Sequence, residues 1–501
     1  MNAIKTFINE NFKGQPSGFF VILYTEICEL FGRFAIMALL VLYLTSDMKL
    51  ADHNAFSIYG AFLALIFIIP LLGGFYSDKF MGYKPAIIGG ISLMALGNLT
   101  IAYPNMHSLY VGLALIAVGS GFFTPSLTAL LGKLYHKKEK NRDNAFVMYY
   151  IAKNVGALLA TVFCSMIGQA YGYPYAFILS AAVMLSGLIV FTLGSGKLNH
   201  VLDVCNENLR TKSFLPNLNF SHVSLIIALL AATCFILTNH ITEYLFAFSI
   251  VAALVMFAKL YMQSQDETRA NLRHIFIALV MMALFSMLLG QGGTTLNLFI
   301  ERVINRNIGG YTIPPSMFYA LDPLFMLVFG GMVMHMLGKM RNQNPTIASM
   351  NKLSLGLIVL AVGFVVFVLA SQYALSTGQK PSVFFVFAGY MIFPIAELAI
   401  MPITVSLVTR LAPQGKDALM VSFYFLAQGI ASYLTGSFSK LGTVNFPVNT
   451  QSNLLHAASI YQYVFFVSAA LLVIGAATTY GYRRLCVAKS QVNTGDVVSA
   501  I

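Results

Sequence analysis

The stretch SGFFVILYTEICELFGRFAIMALLVLYL, Ser17 to Leu44, decides the fold: it is long and apolar enough to cross a bilayer, yet it carries Glu26, Glu29 and Arg33. On a helix the steps from 26 to 29 to 33 are three and four residues, which place all three charged heads on one face. A charge at the middle of a lipid-facing helix costs at least about 2.5 kcal/mol on the insertion scale. That face therefore turns toward protein or water. It marks either a functional site or an i,i+4 pair, Glu29 with Arg33, that satisfies itself.

The rest of the chain has the same character. At 58% hydrophobic and 10% charged over 501 residues, the composition excludes a water-soluble enzyme and fits an all-α polytopic membrane protein. Met1 to Pro16 is polar and the first apolar run is too long and too charged for a signal-peptide core, so no cleavable signal is expected. Cys28, Cys164, Cys205, Cys234 and Cys486 show neither CxxC nor CxxH spacing, so no disulfide framework, metal site or cofactor is expected.

Apolar segments predict fourteen transmembrane helices, near 17–45, 54–74, 85–103, 109–134, 143–171, 175–195, 223–239, 243–262, 273–300, 315–338, 346–371, 381–411, 417–441 and 458–482. Most Lys and Arg residues then fall on the side of the N-terminus, in clusters such as Lys133, Lys137, Lys138, Lys140 and Arg142, then Lys339, Arg341 and Lys352, then Arg483, Arg484 and Lys489. By the positive-inside rule both termini are cytoplasmic, in a cytoplasmic (inner) membrane. The net charge of +12 thus reads as topology and contact with anionic lipid, not as a nucleic-acid surface. A polar stretch, Lys197 to Ser221, closes a first six-helix bundle. Two apolar, lipid-facing helices follow it, and six more helices follow those. The expected domains are 1–196, a linker with two extra helices over 197–272, and 273–501. A 6 + 2 + 6 layout is that of a major facilitator fold with a midplane cavity between its halves.

Further charged residues fall inside the spans. Lys153, in Tyr149-Tyr150-Ile-Ala-Lys153-Asn154-Val-Gly156, lies roughly 15 Å into its segment at 1.5 Å per residue. That is too deep to snorkel easily, so it needs an anion: a helix-1 acid in a permanent pair, or a bound carboxylate. Asp322 precedes a proline that frees backbone carbonyls, and Glu397 lies between Pro394 and Pro402. Gln291, among small residues, suits a cavity wall or interhelical packing alike. Asp78, in the glycine-flanked hairpin Gly74 to Lys84, suits either a solvated turn or a gating contact. Tyr24, Tyr59, Tyr149, Tyr150 and Tyr424 suit a pocket or ordinary packing. Bases in the first half and two acids in the second suit a zwitterion, and desolvated carboxylates suit proton carriage.

These motifs resemble those of the proton-dependent oligopeptide transporters of the major facilitator superfamily, over nearly the whole chain. Glu26-Ile-Cys-Glu29-Leu30-Phe31-Gly32-Arg33-Phe34 is similar to the family's ExxERFxYY stretch, and Tyr149 to Ala157 to its FYxxINxGS motif. Ile313 to Phe325 resembles the IPxxxFxxLNPLF run, and Glu397 to Pro402 the helix-10 signature. The departures fall on charges. Leu30 replaces the Arg of ExxER, Arg33 and Phe34 the two tyrosines, Met37 a further Arg, Thr124 a Lys and Gly290 a Glu. Lys153 stands at an apolar position and Asp322 at an Asn position. The Lys and Glu form an ion pair in the family, so their joint absence implies that this coupling element is missing.

The resemblance implies a proton-coupled importer of di- and tripeptides working by alternating access, a monomer whose partners are substrate, protons and lipid. Glu26 and Glu29 are the expected proton-coupling residues. Arg33 and Lys153 would hold a substrate carboxylate, and Asn154, Asp322 and Glu397 its amino group. The rebuilt charges leave open a non-peptide zwitterion, an organic anion, or export. A membrane-embedded enzyme finds no metal cluster or Ser/His/Asp set to support it.

Overall fold

The computed structural model describes residues 15–16, 18–135, 139–199, 201–202, 220–239, 242–340, 345–413 and 417–498. His136, Lys137, Lys138, Cys205, Arg341 and most of the polar stretch after Lys197 lie outside the described residues. Twelve helices among the described residues are long and apolar enough to cross a membrane, and two shorter apolar ones, Val223–Thr238 and Ile250–Met262, accompany them. The chain is a multi-pass helical membrane protein. A two-stranded hairpin, β1 (Asn307–Ile308) with β2 (Tyr311–Thr312), is a small addition to the all-α expectation.

Two compact units divide the chain, Met1–Leu50 with Ala61–Glu243, and Ala51–Gly60 with Tyr244–Ile501. In the first unit, α1 (Phe19–Leu42) ends in a wide turn at Tyr43–Asp47, and α2 (Asp52–Tyr76), whose start through Gly60 belongs to the second unit, ends in another at Ser77–Met81. Then come α3 (Tyr83–Ile101), α4 (Met106–Leu134), α5 (Glu139–Tyr171), α6 (Tyr173–Gly194) and α7 (Phe220–Thr238). Helix α1 packs on α5 and α6, while α3 packs on α4 and α6. A buried polar junction ties three of these together: the Ser180 hydroxyl donates to Asn98 Oδ1 at 2.8 Å and also approaches the Gly32 carbonyl at 3.3 Å. In hydrocarbon such groups have no water to fall back on, so their pairing fixes the register of α1, α3 and α6.

The second unit contains α8 (Thr242–Met262), α9 (Asp266–Leu289), a 3-10 turn at Gly290–Gly293, α10 (Thr295–Arg302), a 3-10 turn at Pro315–Ala320 and α11 (Leu321–Lys339). It continues through α12 (Pro345–Thr377), α13 (Phe384–Leu411), α14 (Asp417–Ser439) and α15 (Gln451–Val498). The uninterrupted helix expected over 273–300 is instead broken at its Gly-Gln-Gly-Gly run, since glycine gives up a helix most readily. Several helices also outrun their apolar segments, α15 most of all. Hydropathy registers the lipid-spanning part, and the helix continues into polar residues beyond it.

Close helix contact in the first unit depends on absent side chains. A Cβ on Gly90 would lie 2.7 Å from the Gly119 carbonyl oxygen across the α3–α4 contact, whereas around Gly89 nothing lies within 4 Å. Gly90→Val should therefore destabilise the protein by about 1–3 kcal/mol through overpacking, read as a lowered melting temperature in detergent. Gly89→Val should leave that temperature unchanged.

Candidate functional site

In the first unit the charges of α1 find their partners. Glu26 and Glu29 are fully buried. The Arg33 Nη2 donates to Glu29 Oε2 at 3.2 Å, and its Nε lies 3.1 Å from Oε1 without a directed hydrogen bond. The Lys153 ammonium lies 3.4 Å from Glu26 Oε1 and 4.8 Å over the ring of Tyr149. What seats Lys153 there is Gly156, one turn farther along α5. A Cβ at that position would come 2.6 Å from the Ile27 carbonyl oxygen, so only glycine lets α5 lie this close to α1.

The two pairs differ in quality. At 3.4 Å the Lys153 contact exceeds a normal N–H···O hydrogen bond, and neither oxygen of Glu26 accepts a well-directed one. Lys153 is about a third exposed, while Arg33 is 14% exposed. Glu26 is thus held by charge more than by directed bonds, and Glu29 by one hydrogen bond beside its ion pair. Glu29 lies in the field of Glu26 and Lys153 as well as that of Arg33. Tyr149 completes the set through a 3.1 Å hydrogen bond with Thr128 of α4. Asn154 does not join it: its amide donates to the Tyr150 carbonyl on its own helix at 3.0 Å.

Two acids of the second unit are arranged the opposite way. Asp322 and Glu397 act on each other's charge, in the same field as the hydroxyls of Tyr59, Tyr319 and Tyr390. Asp322 Oδ1 is buried with no hydrogen-bond partner among the described residues. No ion pair ties either acid to a base of this unit among the described residues. The structure also corrects the reading of Pro323. Because α11 begins at Leu321, Asp322 lies in its first turn, at the positive end of the helix dipole. The proline falls where an N–H has no intrahelical acceptor anyway, so it starts the helix more than it frees carbonyls.

Gln291 serves packing here. It is buried, with Ser439 Oγ donating to its Oε1 at 3.0 Å. Gly290 beside it is closed off, since a Cβ would meet Thr435 Oγ1 at 2.6 Å. A side chain at this position would require Thr435 to shift. In the first unit, Asp78 accepts a 2.7 Å hydrogen bond from Tyr83, which places it in a structured turn. Tyr24 reaches Ser186 at 3.1 Å.

Sequence reasoning missed one ion pair altogether. Arg302, at the end of α10, donates to both oxygens of Asp52 at 2.6 and 2.8 Å, and the Val444 N–H adds a 3.0 Å bond to the same carboxylate. Asp52 opens α2 and Arg302 closes α10, and each alone looks like an ordinary solvated charge at a helix end. Their separation of 250 residues leaves no local signal.

Comparison with known proteins now bears on these residues. The POT family model matches residues 84–454, well over half of the chain. The chain belongs to the POT family. It is 26% identical over 464 residues to dipeptide and tripeptide permease B of Yersinia enterocolitica, covering 90% of this chain and 91% of the relative. Dipeptide and tripeptide permease A of Serratia proteamaculans is 27% identical over 462 residues, covering 90% and 88%. Among solved structures, the tetrameric PepTSo2 superposes with a TM-score of 0.80 at 24% identity, over 94% of this chain and 98% of that one. A bacterial homologue of the human drug peptide transporters PepT1 and PepT2 gives 0.77 at 24% identity, over 93% and 97%. The major facilitator fold of the POT family is thereby assigned. Lys153, Asn154, Asp322 and Glu397 lie inside the family match, while Glu26, Glu29, Arg33 and Asp78 precede it.

The pairing across α1 and α5 predicts a definite mutational pattern. Lys153→Met should destabilise the purified protein by leaving Glu26 buried without its cation. Adding Glu26→Gln should recover stability, with a coupling of about 1–3 kcal/mol in a double-mutant cycle on thermal melts. Additive effects of the two substitutions would break the assignment.

Proposed function

We propose that this POT-family chain is a proton-coupled symporter that carries di- and tripeptides into the cell by alternating access, from a cytoplasmic membrane with both termini inside. The proposal keeps the six-helix bundles at 1–196 and 273–501, with two extra helices between them, acting as a monomer. One observation carries it: Glu26 and Glu29 of the first unit are matched by bases, whereas Asp322 and Glu397 of the second make no ion pair among the described residues. The relatives named as dipeptide and tripeptide permeases supply the substrate class.

The chemistry follows from that asymmetry. A carboxylate held by a base gains a proton only as that pairing weakens, so Glu26 or Glu29 takes the proton as its contact with Lys153 or Arg33 loosens. Protonation of either releases a base, Lys153 or Arg33, to meet a substrate carboxylate. Asp322 and Glu397, at a helix start and between two prolines, offer negative charge to an amino group. Asp78 contributes to gating. Asn154 has its amide committed to its own helix and plays a smaller part.

Uptake by proteoliposomes under an inward proton gradient tests the central acid. Glu397→Gln should reduce dipeptide uptake to background while the protein stays folded, and wild-type uptake by that variant would refute its role. A thermal-shift screen separates cargo classes. Some members of a di- and tripeptide library should raise the melting temperature, and stabilisation by organic anions alone would refute peptide transport.

A further inference from the structure

Asp322 and Glu397 reach one another from two elements of the second unit. On α13 the steps from Tyr390 to Pro394, Glu397 and Met401 are four, three and four residues, which make one stripe of the helix. Tyr319 precedes Asp322 by three residues, across the 3-10 turn that runs into α11, and a step of three keeps both side chains on one side. The two stripes meet at Gly292, where a Cβ would lie 2.8 Å from the Tyr319 ring and 3.4 Å from the Tyr390 hydroxyl. Helix α14 closes the other end: the Tyr424 hydroxyl and the Gln428 amide lie 3.7 and 3.3 Å from the sulfur of Met401, one turn beyond Glu397. Tyrosines therefore surround the two carboxylates, and Tyr59 of the same unit shares their field. Asp322 and Glu397 are half-buried, and Asp322 Oδ1 is a buried atom with no hydrogen-bond partner among the described residues. No third His, Cys, Asp or Glu joins them in a metal-ion set among the described residues.

A single ammonium answers one carboxylate and leaves the other as an unpaired charge in a poorly hydrated place. We propose that this site takes a doubly cationic amino end, that of a peptide whose N-terminal residue has a basic side chain, with one ammonium on each carboxylate. The α-amino group and the side chain of that residue branch from one carbon, so both charges reach the same acidic wall. The side chain of the second residue starts from a Cα about 3.8 Å farther along. The tyrosine rings suit both parts of such a residue, since their faces attract an ammonium and their bodies pack on a methylene stem. Asp322 is thereby the specificity-determining residue, because Glu397 alone would answer the one ammonium that every peptide has. The choice of a peptide rests on the function proposed above; the fit of two ammonium groups to two carboxylates does not.

Isothermal titration calorimetry of the purified full chain with lysyl-alanine, alanyl-lysine and alanyl-alanine tests the proposal. Lysyl-alanine should bind about tenfold more tightly than either of the others. Asp322→Asn keeps the size and shape of the side chain and should bring the affinities for lysyl-alanine and alanyl-lysine close to equal. Equal affinity of the unmodified protein for those two peptides would overturn the proposal. So would an undiminished preference in Asp322→Asn, the result expected if the two carboxylates share a proton and count as one charge. Free lysine and free alanine separate this outcome from a failure of the peptide reading. If none of the dipeptides binds, that reading falls, while a preference for lysine over alanine that Asp322→Asn removes would uphold the dication site and the lack of one would overturn it.

Discussion

The structure depends on one constraint: a carboxylate taken into the low-dielectric interior must be neutralised by a base, a proton or a bound cation. Helix α1 brings two carboxylates inside on the same face, and the first unit is arranged to answer them. One answer is local, Arg33 on the next turn. The other comes from α5, and it requires the close approach that Gly156 permits. Tyr149 and Thr128 then tie α4 into the same cluster. The second unit leaves the same demand open, with Asp322 and Glu397 set among tyrosines and no base of their own among the described residues. Two buried acids answered by bases and two that are not make different chemical offers.

Much of this was legible in the amino-acid sequence because charge inside an apolar run is so costly. The helices, the intramembrane acids and bases, and the need of Lys153 for an anion all follow from that cost. What escaped was long-range or geometric. The Asp52–Arg302 pair joins two helix ends that look solvated in isolation. Tyr319 and Tyr390 were invisible among 25 tyrosines until the fold placed them around Asp322. The break at Gly290–Gly293 was hidden because glycine and glutamine do little to lower the hydropathy of a long segment. The role of Pro323 turned on where α11 begins, which hydropathy does not resolve.

The departures from the family pattern gain physical content from packing. Gly290 is not an empty slot awaiting an acid, because the side chain of Thr435 occupies the space. With no acid there and Thr124 in place of a base, the two cations that face the acids of α1 are Arg33 on α1 and Lys153 on α5.

The account's central claim is that proton coupling resides in the acids of α1. The direct measurement compares two modes of transport by the same variants in proteoliposomes: accumulation of a dipeptide driven by an inward proton gradient, and counterflow exchange without one. Glu26→Gln and Glu29→Gln should lose accumulation and retain exchange, since exchange moves substrate without net proton movement. Undiminished gradient-driven accumulation in both variants would contradict the account.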